Sequence, residues 1–181
     1  MSEAIGAFDA LGGLLDNGVL AWGLAACGVA QLSKLLIELV VHRRWRPAVL
    51  VETGGMPSSH SSLMTGTAAG LGWELGFADP LFALAAVLCF IVLYDASGVR
   101  RAAGLTAERV NGLPDGLWDT HPQDGPPEAD PVLRPLKENL GHTRAEVLVG
   151  SLIGPLVALP GLALLGSPLQ IARGAGWLPL G

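Results

Sequence analysis

Apolar positions in this chain gather into long blocks separated by short polar punctuation, rather than alternating or recurring on one face. Four blocks are long enough, as helices, to cross a hydrocarbon core about 30 Å thick. The first runs from about Gly18 to Val41, roughly 36 Å of helix. The second starts at Pro57 and continues through Gly- and Ala-rich sequence to about Phe77. It is the least hydrophobic of the set, so it is expected inside the bundle rather than against lipid. Asp79-Pro80 supplies an N-cap and a first-turn proline for the third, which continues to about Ala103. The fourth runs from about Ala145 to Gly166, with Pro155 and Pro160 expected to bend it. The pattern predicts an all-α fold, a polytopic membrane helical bundle of about four spans.

Residues 104–141 form a polar connection within what reads as a single integral-membrane domain, 1–181. Prolines from Pro114 to Pro135 and the acids Asp115, Asp119, Asp124, Glu128 and Asp130 predict a mostly irregular, mobile stretch, a passive linker before an active-site flap. Trp118 and His121 within it read as local packing or solvent-exposed residues. The stretch from Ser167 to Gly181 is too short to span, and Trp177 suits an interface.

Composition agrees with a membrane protein: 50% of residues are hydrophobic, only 15% are charged, and there are 25 glycines. The net charge of −5, without a basic stripe, argues against nucleic acid as a partner. Cys27 and Cys89 lie in apolar stretches and make neither a disulfide framework nor a zinc cluster. Met1-Ser2-Glu3 lacks a basic n-region, so no cleaved secretory signal is expected. With four spans, every Lys and Arg except Arg173 falls on one side. The positive-inside rule makes that side cytoplasmic, in the inner (plasma) membrane, with both termini outside.

The polar motifs converge on that side. In Gly54-Gly55-Met56-Pro57-Ser58-Ser59-His60, the glycines suit an anion nest and Pro57 suits a first helical position. The helix N-terminus behind them would face the anion, and His60 could protonate a leaving oxygen. A plain Gly/Pro turn before a Ser-rich helix accounts for this stretch equally well. Gln31, Lys34 and Glu38 share one face of the first span. There Lys34 either faces the interior or snorkels toward Glu38. Arg43-Arg44-Trp45-Arg46 reads as phosphate binding or as lipid anchoring. Asp95 is expected to orient an arginine or Lys34, beside Arg100 and Arg101 closing the third helix. His142 and Glu146 have i, i+4 spacing, placing a carboxylate where it could orient an imidazole nucleophile, although a capped helix whose histidine hydrogen-bonds locally accounts for the same residues.

These stretches resemble the divergent branch of the type-2 phosphatidic acid phosphatase superfamily, also described as acid phosphatase/vanadium-dependent haloperoxidase-related. The resemblance rests on Ala30-Gln31 with Lys34, Gly54 to Ser61, Tyr94 to Arg101, and Leu136-Lys137-Glu138 through His142 to Val147. It extends from about Trp22 to Gly154. It implies a phosphohistidine mechanism without a metal. Lys34 and Arg100 or Arg101 would hold phosphate and Ser58 and Ser59 would donate to it. His60 would act as acid, His142 as nucleophile and Glu146 as orienting group, with Asp95, Gly54, Gly55 and Lys137 in support.

Several positions depart from the superfamily pattern. Ser59 replaces a glycine, no Arg-Pro follows Lys34 at the superfamily spacing, and no histidine lies near Thr106. Glu146 stands for an aspartate, and the superfamily core has six helices, which a homodimer would supply here. The expected activity is hydrolysis of a membrane phospholipid monoester, phosphatidylglycerophosphate before phosphatidic acid or isoprenyl (di)phosphates. The alternative from a different class is an inactive phospholipid- or anion-binding scaffold. Haloperoxidase chemistry ranks lower. No cofactor is expected, and a divalent metal held by Asp95 and Glu146 stays open as a further alternative.

Overall fold

The computed structural model describes residues 12–50, 54–113, 136–138 and 140–177, and all regular structure among them is helical. Helix α1 spans Gly18–Val40 and is followed by a 3-10 turn at Pro47–Leu50. Helices α2 (Ser59–Leu75), α3 (Pro80–Ser97) and α4 (Val99–Asn111) precede α5 (Arg144–Leu165) and the short α6 (Pro168–Gly174). The helix starts follow local chemistry. Asn17, Ser58, Asp79, Thr143 and Ser167 each accept a first-turn N–H at an N-cap.

Three stretches are long and apolar enough to cross a membrane: Gly18–Val40, Pro80–Asn111 and Arg144–Leu165. Helix α2 is not among them. At 17 residues, it is about 26 Å long and packs against α1, α3 and α5. Its small residues make that central position workable. Ser59, Ser61, Ser62, Gly66, Ala68, Gly70 and Gly72 are all buried. Lipid gives no hydrophobic drive for helices to associate, so close backbone approach and interhelical hydrogen bonds must do it.

The seam between α2 and α5 is built this way. Ser62 Oγ donates to the Gly150 carbonyl at 2.9 Å. A Cβ on Gly150 would strike the Ser58 carbonyl, and one on Gly154 would strike Thr65 and the Gly66 amide. Farther along, Gly70 faces Leu162, so α2 and α5 run parallel. Helix α1 is antiparallel to α2, since Val19 approaches Gly70 while Ala26 approaches Gly66. At the end away from the histidines, the Trp22 ring lies against Gly161 and its Nε1 donates to the Gly166 carbonyl at 2.8 Å.

Two boundaries differ from the sequence expectation. The third helix stops at Ser97 rather than Ala103, because Gly98 caps it with φ −105° and ψ −87°. A new helix then covers Val99–Asn111, so the start of the connection is helical where irregular chain was expected. Its Arg- and Ala-rich sequence favours helix, and only the stretch beyond it is rich in proline. Pro114 to Pro135, with Trp118 and His121, lie outside the described residues. Helix α2 begins at Ser59 rather than Pro57, which sits just before the Ser58 cap in a cis Met56–Pro57 bond. Pro155 and Pro160 both fall within the continuous α5 assignment.

The seam makes a direct prediction. Gly154→Leu should destabilise the detergent-solubilised protein by about 1–3 kcal/mol through overpacking. Gly28→Ala, where nothing lies within 4 Å of the added carbon, should leave thermal unfolding unchanged or raise its midpoint.

Candidate active site

His60 is positioned by the way α2 starts. Gly54 and Gly55 have φ of +121° and +78°, angles that suit glycine, and they lead the chain into the Ser58 cap. Ser58 is fully buried. Its N–H donates to the Glu146 carbonyl at 3.1 Å, and its hydroxyl accepts from the Ser61 N–H at 3.3 Å and from Ser61 Oγ at 2.9 Å. The first turns of α2 and α5 are thereby joined. His60 is the second residue of α2 and is exposed.

His142 arrives from the opposite direction. Asn111, the last residue of α4, holds the returning chain with its side-chain amide. Its Nδ2 donates to the Leu136 carbonyl and to Glu138 Oε1, both at 2.8 Å, while its Oδ1 accepts from Leu136 N–H at 2.9 Å. The chain then crosses Gly104, where a Cβ would meet the Glu138 and Leu140 carbonyls. At Gly141 (φ +81°) it presses against the Arg100–Arg101 backbone. His142 N–H donates to the Ala96 carbonyl at 2.9 Å. The residue is only 4% exposed, and its Nε2 is buried with no hydrogen-bond partner among the described residues.

The two imidazoles lie with ring centroids 6.3 Å apart and planes at 70°. Both line a cavity of about 170 Å³, together with Asp95, Arg100, Ile91, Val92, Ala96 and the Leu140-Gly141 backbone. Arg100 Nε donates to Asp95 Oδ2 at 2.9 Å, so Asp95 meets an arginine rather than Lys34. Of the adjacent arginines, Arg100 faces the cavity and Arg101 does not line it. Among the described residues, no three His, Cys, Asp or Glu side chains form a metal-binding group.

Lys34 is 3% exposed on α1 and outside the cavity lining. It nevertheless lies within electrostatic reach of His60, His142 and Glu146. Burial pushes the His142 imidazole below its ordinary value. Glu146 opposes that shift, while Lys34, His60 and Arg100 add to it. The balance favours the neutral imidazole, the form a nucleophile needs.

Glu146 does not occupy the place expected of it. His142 precedes the Thr143 N-cap, so the i, i+4 face relation within a helix does not apply. Glu146 instead completes a capping box, its Oε2 accepting from Thr143 N–H at 3.0 Å and its N–H donating to Thr143 Oγ1 at 3.3 Å. The Thr143-x-x-Glu146 spacing was the available sign. Ser58 and Ser59 are buried outside the lining, and the Ser58 N–H serves Glu146 rather than an anion. Gly54, Gly55 and the exposed Lys137 also stay out of the lining. Sequence reasoning passed over Asn111, whose partners lie 25 and 27 residues away. Gln31 is turned to structure, its Nε2 donating to the Leu50 carbonyl at 2.8 Å.

An NMR titration with labelled histidine should find His142 neutral to lower pH than an ordinary histidine. Glu146→Gln should move that titration lower still, since the opposing charge is gone.

Comparison with known proteins adds ancestry. The divergent PAP2 family matches residues 15–157. The chain is 39% identical over 149 residues to the "Uncharacterized membrane protein YuiD" of Bacillus subtilis (strain 168), covering 81% of this chain and 94% of that protein. No solved structure matches it.

Proposed function

This chain belongs to the divergent PAP2 family, and from that premise we propose that it is a membrane phosphatase acting on a lipid phosphate monoester. The observation carrying this reading is the pair of imidazoles, 6.3 Å apart, facing one cavity beside Arg100. A phosphoryl group between the rings would place an attacking nitrogen and a proton donor on opposite sides, as in-line displacement requires.

In this reading, an unprotonated His142 nitrogen attacks phosphorus as the ester P–O bond breaks. His60 gives its proton to the departing alkoxide. Water then attacks the phosphohistidine, with His60 taking a proton from it, and inorganic phosphate leaves. Arg100, oriented by Asp95, binds the equatorial oxygens, and Lys34 contributes longer-range positive charge. Phosphatidylglycerophosphate is the favoured substrate if the cavity faces the cytoplasm, with phosphatidic acid and isoprenyl (di)phosphates beside it.

A second reading, an anion-binding membrane protein without turnover, draws on the positions of Ser58 and Glu146. Neither makes the contact that the catalytic scheme would assign it.

Phosphate release by the purified protein from a panel of these lipids tests both. His142→Asn should abolish release, and His60→Ala should slow it by about 10²–10⁴-fold. Rapid acid quench should trap a phosphoenzyme in the wild type. Full turnover by His142→Asn would sink the nucleophile. Saturable lipid-phosphate binding with no release and no phosphoenzyme would favour the second reading.

A further inference from the structure

Beside the cavity lies a second hollow, a groove of about 380 Å³ where α3 gives way to α4. Phe90 with Tyr94, and Ile91 with Asp95, form two i, i+4 rows on α3. Val99, beyond the Gly98 break, closes the end. Phe90 and Tyr94 are 72% and 70% exposed, so their faces turn away from the bundle. Ile91 and Asp95 line both the groove and the cavity, making that wall a common border.

We infer that this groove seats a hydrocarbon tail of the lipid whose phosphate occupies the cavity, an assignment that rests on the phosphatase reading above. A charged phosphate cannot be left unpaired in hydrocarbon, and a tail gains nothing in a polar cavity. A lipid joining the two environments must cross a border that is apolar on one side and polar on the other. The Ile91–Asp95 wall meets both conditions, with Arg100 bonded to Asp95 at the polar end and Phe90 and Ile91 at the apolar end. The cavity is bounded elsewhere by His60 of α2 and by the Leu140-Gly141-His142 strap. The tail therefore leaves over the outer face of α3 at its junction with α4, and selectivity among lipid phosphates would depend on Ile91, Tyr94 and Val99 as well as on the headgroup site.

Photolabelling tests this without relying on turnover. The full chain in lipid nanodiscs is exposed to phosphatidic acid carrying a diazirine on one acyl chain, or to phosphatidylcholine carrying the same group. Labelled positions are mapped by mass spectrometry. The phosphatidic acid probe should label residues 90–99 several-fold more than the phosphatidylcholine probe, and unlabelled phosphatidic acid should compete for the excess. Ile91→Trp should remove that excess, whereas Leu148→Trp, on an exposed face of α5, should keep it. Equal labelling by the two probes would reduce the groove to ordinary lipid-facing surface, and an excess mapping elsewhere would also overturn the inference. If phosphate release fails while the excess at 90–99 persists, the phosphatase reading falls and the tail groove stands. If phosphate is released while the two probes label evenly, the tail groove falls and the phosphatase reading stands.

Discussion

Everything at the candidate site depends on how closely α2 and α5 approach. Their backbones come near enough for Ser62 to bond the Gly150 carbonyl and for Ser58 N–H to bond the Glu146 carbonyl. Only small residues permit this, and in a bilayer close approach with internal hydrogen bonding replaces the hydrophobic effect as the means of association. Because these helices run parallel, their N-termini share one end of the bundle. His60 starts one helix and His142 immediately precedes the other. The seam thus sets the relation between the imidazoles before any site residue makes a contact of its own.

Three separate constraints then shape the cavity. The Gly98 break turns the chain so that Arg100 comes beside Asp95 instead of continuing along α3. Asn111, Gly104 and Gly141 bring the strap back over α4 at backbone contact. The bond from His142 N–H to the Ala96 carbonyl anchors the strap to the end of α3. Burial and neighbouring cations push the His142 imidazole toward its neutral form, while Glu146 works against them from its place in the capping box.

Much of this could be read from residue order. Long apolar blocks marked the membrane helices, Asp79-Pro80 marked a helix start, and the Gly/Ala-rich composition of α2 marked it as interior. His60, His142, Asp95 and Arg100 were all identifiable by residue type and neighbourhood, and the structure brings them to one cavity. A capped start to the fourth span was open from the sequence, and the choice between roles turned on boundaries shifting by one or two residues. Thr143 as N-cap turns a shared helical face into a capping box, and Ser58 as N-cap turns a presumed anion donor into a helix joint. Asn111 escaped for a different reason. Its partners lie across the acidic connection, and nothing local to an asparagine indicates a clamp at that range.

The strap also bears on how such a chain is made. His60 belongs to the second helix and His142 enters just before the fifth, so a nascent chain holds half of the site for the whole interval between them. During that interval Ser58 N–H and the Ser62 hydroxyl lack the Glu146 and Gly150 carbonyls that satisfy them in the finished fold. The α5 helix therefore does two jobs on arrival. It relieves the stranded polar groups of α2, and by the same movement it brings the second histidine to the first. In the finished fold, the bonds that complete the seam and the meeting of the two histidines therefore depend on the same helix.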